Sequence, residues 1–172
     1  GEDIDFSIRI FKGGYRCRLF PEAWVWHKRR TDFRKFFRQV YNSGIARINL
    51  YKKYPESLKL VHLLPMVFTV GVLFLLLLFI VGIVLGATVL RHCNQPFAGM
   101  ICGVALLPLV LYSFIIFVDA SRQYNSLWIG LLSIRAAFTQ LMGYGFGFIE
   151  AWWKRCVRGK SEFSAFEKTF YK

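Results

Sequence analysis

The sequence predicts a short mixed α/β segment followed by an all-α membrane region, with an interfacial helix and two or three membrane segments. The first sign is an uneven distribution of apolar residues. The hydrophobic fraction is 55%, yet it is gathered into residues 60–90 and 97–118, while residues 1–59 are strongly charged. A water-soluble core does not partition a chain in this way, and runs of that length are what a bilayer requires. The second is a basic, aromatic helical pattern just ahead of the first apolar run. The third is the opening stretch, GEDIDFSIRIFKGGYRCRLFPEAWVWH, which switches from helical to alternating periodicity at a Gly-Gly pair.

Four regions follow: residues 1–30, the end of a folded domain; residues 31–59, an amphipathic helix and linker; residues 60–150, the membrane region; and residues 151–172, a basic tail. Residues 4–12 are expected to be helical. Ile4, Ile8 and Phe11 share a face, and Asp3 or Asp5 suits the positive end of the helix dipole. Gly13-Gly14 ends that helix, because glycine takes the left-handed conformation a C-cap needs. Tyr15–Phe20 reads as a strand, with Tyr15, Cys17 and Leu19 alternating against Arg16 and Arg18. Pro21-Glu22 makes a turn, and Ala23–His27 reads as a second short strand that ends on His27.

Between Thr31 and Tyr54, Phe33, Phe36, Phe37, Val40, Tyr41, Ile45, Ile48 and Tyr51 recur at helical spacing among Arg34, Lys35, Arg38, Arg47, Lys52 and Lys53. Thr31 or Asp32 is the N-cap and Pro55 the stop, with a break or bend at Gly44. A basic helix with a bulky aromatic face lies in a membrane interface, or else packs on its own domain; the membrane segment that follows favours the interface.

Leu60–Leu90 would extend about 46 Å if wholly helical, more than the roughly 20 residues a bilayer core needs. The span proper is placed at 66–85, with Pro65 in its first turn, and a second span at 97–118, kinked at Pro108. The third apolar segment, 127–148, is weaker. It carries Arg135, Gln140 and glycines at 143, 145 and 147, and a charge within the membrane faces protein or water. Trp152, Trp153, Lys154 and Arg155 form an interfacial anchor. Of 23 Lys and Arg, 14 lie in residues 1–59 and six in 151–172, against one in each short loop. The positive-inside rule then puts both ends in the cytoplasm. Two true spans follow, the third segment being re-entrant or lying along the interface. The expected product is a multi-pass membrane protein with residues 1–30 on the cytoplasmic face of the cell membrane.

The net charge of +13 beside such apolar runs points to membrane lipids or a phosphate-bearing substrate rather than nucleic acid, for which no binding module is present. The cysteines at 17, 93, 102 and 156 form no C-x-x-C pair, so isolated thiols are expected.

Candidate chemistry gathers at the opening stretch. Asp3, beside Glu2, can serve as general base on a hydroxyl nucleophile. His27 can ligate a divalent metal that neutralises a diphosphate leaving group, and Arg29 and Arg30 can add charge against phosphate oxygens. The blander account makes the acids helix-dipole partners.

The run from Gly1 to Arg30 resembles the end of the catalytic domain in family 2 glycosyltransferases. That family shows G-E-D-x-D/E-L-x-x-R-x-x-x-x-G, then a strand, then P-x-A-x-V-x-H. Gly1, Glu2, Asp3, Asp5, Arg9, Gly14, Pro21, Ala23, Val25 and His27 match it, with Phe6 in place of Leu. The resemblance covers about the first 60 residues. It implies the end of a GT-A fold and inverting transfer from a nucleotide-sugar donor to a lipid-linked or surface glycan acceptor. Asp3 would be the catalytic base, Glu2 would orient the acceptor, and His27 would sit by the diphosphate with Mg or Mn. Asp5 would hold the helix start or pair with Arg9. The family's donor-binding half, with its D-x-D motif, has no counterpart here, so the chain alone is expected to be inactive. The Q-x-x-R-W of processive synthases is replaced by Gln39-Val40-Tyr41-Asn42-Ser43, which favours single-sugar transfer over a processive polysaccharide synthase. The competing expectation is a non-catalytic basic membrane anchor or assembly module.

Overall fold

The computed structural model describes residues 2–26, 32–88 and 97–163. Helix α1 (Glu2–Lys12) closes in a Schellman motif, as the Gly-Gly pair foretells. Gly14 sits at φ +77°, the Tyr15 amide donates to the Ile10 carbonyl at 3.2 Å, and the Gly14 amide donates to the Phe11 carbonyl at 3.0 Å. Helix α2 (Phe33–Lys53) is capped by Asp32, whose carboxylate accepts from the Arg34 amide at 2.6 Å and the Lys35 amide at 3.4 Å. Two 3-10 turns, Pro55–Ser57 and Leu60–Leu63, lead into α3 (Leu64–Thr88). Helix α4 (Phe97–Tyr124) runs unbroken through Pro108, and α5 (Leu127–Trp152), capped by Ser126, passes into a π turn at Trp153–Val157.

The α/β expectation is corrected: among the described residues no strand or sheet forms, and the molecule is helical. Tyr15–Phe20 does not make a strand, nor do residues 23–26, despite their alternation. A strand is completed by a neighbour that takes up its backbone N–H and C=O groups. Among the described residues no such neighbour lies beside this segment, and it stays irregular with Leu19 and Trp26 86% and 91% exposed. The intervening turn is as expected, with the Ala23 amide donating to the Phe20 carbonyl at 3.1 Å.

Helix α5 is the hub, and its glycines make it so. Residues 143 and 147 are four apart and share one face, whereas 145 lies on the other. Gly143 meets Phe37 and Val40 of α2, and Gly147 abuts the backbone of Tyr41. Gly145, on the opposite side, abuts Pro65 and Thr69 of α3. Small residues on both faces let two helices approach α5 at backbone distance, the small-xxx-small mode of membrane helix pairs. Gly44 answers from α2. A β-carbon there would lie 2.7 Å from the Phe148 nitrogen and 3.1 Å from the Gly147 carbonyl carbon. The expected break at Gly44 is absent: α2 is continuous, and the glycine serves close approach instead. Ile45, Ile48, Phe148 and Ala151 complete the buried seam, flanked by Leu58, Leu63 and Met66. Beyond the glycines, the charge of Arg135 is met by α2, its guanidinium lying 4.3 Å from the Phe33 ring centroid.

Helices α3 and α4 form an antiparallel hairpin, with Phe68 against Tyr112 near one end and Gly82 against Ile101 and Cys102 near the other. Both are long and apolar enough to cross a membrane, at mean hydropathies of 3.1 and 2.6. Only 17% and 6% of those stretches is buried within the chain, so their apolar sides are not covered by the protein itself. Helix α5 turns back along the end of α4, with Gly130 against Phe117 and Ser121 and Phe138 against Tyr112, but it does not run on alongside α3. A third span in up-down-up order would meet later residues of α3 as it advanced. Phe138 instead meets Phe68, Leu141 meets Thr69, and Gly145 meets Pro65 and Thr69. Helix α5 therefore crosses α3 within its first two turns, at one end of the hairpin. Thr69, fully buried at the crossing, donates its hydroxyl to the Pro65 carbonyl at 2.8 Å and faces the Leu141 carbonyl at 3.3 Å.

Candidate functional site

The candidate site is the α1 helix and the place where it docks. Asp5, Ile8, Arg9 and Lys12 fall on one face of α1 by helical spacing. Asp5 forms an ion pair with Lys53 at the end of α2 (2.8 Å) and with Arg9 (3.3 Å). The pairing with Arg9 is the one its sequence position suggests. Lys12 reaches Glu56 in the α2–α3 linker (2.7 Å) and lies 4.4 Å from the Tyr54 ring centroid. Lys53 also flanks that ring, at 5.3 Å. Helix α1 is thereby set on the linker that leads directly into the first apolar helix. Ile8, Phe11, Tyr54 and Ser57 line an open hollow of about 300 Å³ at this junction, with Lys12 and Glu56 on its rim.

These contacts set the charge states. The Lys53 ammonium, hydrogen-bonded to Asp5, holds the Asp5 carboxyl below its ordinary value, and Arg9 adds to this. Asp5 in turn raises Lys53. Lys12 lowers Glu56 by the same means. All four groups are solvent-accessible, so each pair contributes little on its own. Their number and their agreement in direction make the docking.

Glu2 is the first residue of α1, and Asp3 follows on the face opposite Asp5, two residues and about 200° away. The Asp3 side chain is exposed, and its backbone carbonyl accepts the Ser7 hydroxyl at 2.8 Å. Docking by Asp5 thus leaves Asp3 directed away from the linker and exposed. His27, Arg29 and Arg30 lie outside the described residues. The structure therefore brings Glu2 and Asp3 onto one end of α1 and ties that helix to the linker leading into the first apolar helix. Sequence reasoning missed Lys53, Glu56 and Tyr54 as the partners that fix it. Lys52-Lys53 just before a Pro stop was the available signal, since cations gather at helix C-termini.

The described residues do not assemble a metal site. No three His, Cys, Asp or Glu side chains among them converge, and Asp5 is committed to Lys53 and Arg9. The Mg or Mn implied by the resemblance thus has no set of three ligands among the described residues. Cys17, Cys102 and Cys156 are free thiols, in keeping with their spacing. No protein-family model, curated protein or solved structure matches the chain.

Proposed function

We propose that this chain is the acceptor-side, membrane-proximal part of an inverting, non-processive glycosyltransferase. It would move a sugar from a nucleotide-sugar donor to a membrane-associated acceptor, a lipid-linked or surface glycan. One observation carries the reading: the helix that bears Asp3 is pinned by Asp5–Lys53 and Lys12–Glu56 to the linker entering the apolar hairpin. A base held there meets an acceptor hydroxyl at the membrane surface, and proximity of that kind converts a bimolecular encounter into a positioned one. Asp3 takes the proton from the acceptor hydroxyl as its oxygen attacks the anomeric carbon. The nucleoside diphosphate leaves from the opposite face, which inverts the anomeric centre. Glu2 orients the acceptor, and His27, Arg29 and Arg30 serve the diphosphate side.

The topology that goes with this reading has α3 and α4 as the two crossings and α5 with α2 at the cytoplasmic interface. The crossing of α5 over one end of the hairpin supports it, as does the distribution of Lys and Arg. A single cysteine introduced as Lys160→Cys in an otherwise cysteine-free chain should resist an impermeant thiol reagent on intact cells. Labelling from outside overturns the topology. For the chemistry, the natural polypeptide that carries this chain is assayed in native membranes against a panel of nucleotide sugars. Asp3→Asn should lower transfer about 100-fold or more, the usual contribution of a positioned base, with membrane insertion unchanged. Equal turnover removes Asp3 from its role and leaves a basic membrane anchor as the function.

A further inference from the structure

A largely covered, incompletely paired arginine lies at the other end of the α2–α5 seam. Arg155 continues the stripe of Tyr144, Phe148 and Ala151 by one more turn. Its side chain is only 13% exposed. One terminal nitrogen donates to the Asn49 side-chain oxygen at 2.8 Å, while the Nε hydrogen is buried without a partner. Among the described residues the carboxylate that approaches it, Glu162, stands at 4.0 Å, the outer limit of an ion pair, and is itself 73% exposed. A guanidinium that has lost most of its water and has its Nε hydrogen unpaired is costly unless an anion completes it.

The surroundings say where that anion comes from. Trp152 and Trp153 are each 48% exposed, and Arg158 lies 5.8 Å from the Trp153 ring centroid. Half-exposed tryptophans interleaved with cations mark the headgroup level of a bilayer. The π turn Trp153–Val157 that carries Arg155 is closed by the Arg158 amide on the Trp153 carbonyl at 3.0 Å. Such turns recur where a helix is bent to serve a site. The segment after it folds back over the seam, with the Lys160 amide on the Lys154 carbonyl (2.9 Å) and the Asn49 side-chain amide on the Phe163 carbonyl (3.0 Å). Glu162 is thereby delivered to the approach to Arg155.

We propose that Arg155 and Asn49 form a binding site for the phosphate of an anionic phospholipid headgroup, for which the Glu162 carboxylate is a weak, displaceable occupant. The site rests on the membrane placement of the hairpin and not on sugar transfer. The planar fork of Arg155 suits two phosphate oxygens, and Asn49, whose side-chain oxygen accepts from Arg155, holds that fork in place.

The test uses the full chain in neutral detergent, titrated with dihexanoyl phosphatidylglycerol, dihexanoyl phosphatidylcholine or inorganic phosphate. Binding is read by native mass spectrometry and thermal shift. Wild type should prefer the anionic lipid over both other probes. Arg155→Gln should weaken that binding about tenfold, as loss of a charge-assisted pair does, and Arg155→Lys should restore part of it. Glu162→Gln, which leaves the site itself whole, should tighten binding about threefold by removing a competing exposed carboxylate. Arg122→Gln, in the last turn of α4, should change nothing. Equal binding by wild type and Arg155→Gln, no gain in Glu162→Gln, or equal response to inorganic phosphate each overturns the proposal. Carbonate extraction of the same variants from membranes reports insertion separately. An inserted chain without lipid preference refutes this site alone, whereas extraction of wild type refutes the membrane reading beneath it.

Discussion

Replacing Gly147 with alanine isolates the interaction on which the fold depends. The added β-carbon would lie 2.8 Å from the Tyr41 carbonyl carbon and 3.2 Å from its α-carbon, against 3.4 Å or more for ordinary contact, and closer still to the Tyr41 carbonyl oxygen. Every one of these atoms is backbone, so no side chain can swing aside and α2 itself must retreat. A gap of 0.5–1 Å forfeits about a quarter to a half of the dispersion energy across it. That loss falls on Ile45, Ile48, Phe148 and Ala151 together. Overpacking of this kind costs about 1–3 kcal/mol, while Gly to Ala in a helix interior returns about 1 kcal/mol. With backbone atoms alone in the way the cost falls at the upper end of that range, so the expected net loss is about 1–2 kcal/mol, or a fall of roughly 2–8 °C in Tm for a chain of this size. Gly103 is the control, because a β-carbon there meets nothing within 4 Å. Gly103→Ala keeps the propensity gain without the clash and should be neutral or more stable by up to about 1 kcal/mol. Thermal unfolding of both variants in one detergent, followed by far-UV circular dichroism, compares the two signs directly. If Gly147→Ala melts with Gly103→Ala at or above wild type, close α2–α5 approach is not what holds these helices together.

The α1 docking should respond to pH at both ends of the scale. The folded-state pKa of Asp5 is lowered, so its contribution is present above the unfolded carboxyl value and lost as pH falls below about 4. That of Lys53 is raised, so its contribution holds below the ordinary lysine value and fades as pH climbs past about 10.4. Hydrogen exchange in α1 should accelerate outside that window, and Asp5→Asn should remove the acid limb; an unaltered acid limb would count against the Asp5–Lys53 tie. Thr69→Val deletes the buried hydroxyl at the α3–α5 crossing and should cost about 0.5–1.5 kcal/mol in chemical denaturation, whereas an exposed control, Thr88→Val, should cost less because water replaces its bond to Val84. Asp32→Ala removes the α2 cap and should cost about 1 kcal/mol, with the Arg34 and Lys35 amides losing protection first.

The helical part of the fold was legible because its determinants are local. The left-handed Gly14, the Asp32 cap, the stop at Pro55 and two long apolar runs each act within a few residues, and the ends of α1 and α2 and the starts of α3 and α4 fall close to where those signals put them, whereas α4 runs on past residue 118 to Tyr124. The strands failed for the complementary reason. Alternation in Tyr15–Phe20 states a preference for a pleated surface, but a strand exists only when a second backbone pairs with it. The same limit applies to the site. Asp3 and Glu2 could be singled out by type and order, whereas the partners that fix their helix, Lys53 and Glu56, stand some 50 residues away with no motif linking them.

The glycines at 143, 145 and 147 show how a visible pattern can carry an unread geometry. Spacing by two looks like a strand signal or a weakness in an apolar segment. On an α-helix, two residues are a rotation of about 200° and four return to the starting face. The triplet therefore describes a helix clamped from both sides, by α2 on the 143/147 face and by α3 on the 145 face. That double clamp explains why α5 lies across the end of the hairpin. Pro65 and Thr69 fix where it crosses α3, Tyr41 and Gly44 fix how close α2 comes, and the seam then ends on Arg155 at the tryptophan level. The α2 helix is thus both the outer wall of the α5 seam and, through Lys53, the anchor of α1. A change that lifts α2 from α5 should move Asp3 as well. Gly147→Ala accordingly gains a second readout under the proposed function: its transfer rate should fall at temperatures well below its melting point, while Gly103→Ala keeps its rate. Equal rates in both would uncouple the α5 seam from the position of Asp3.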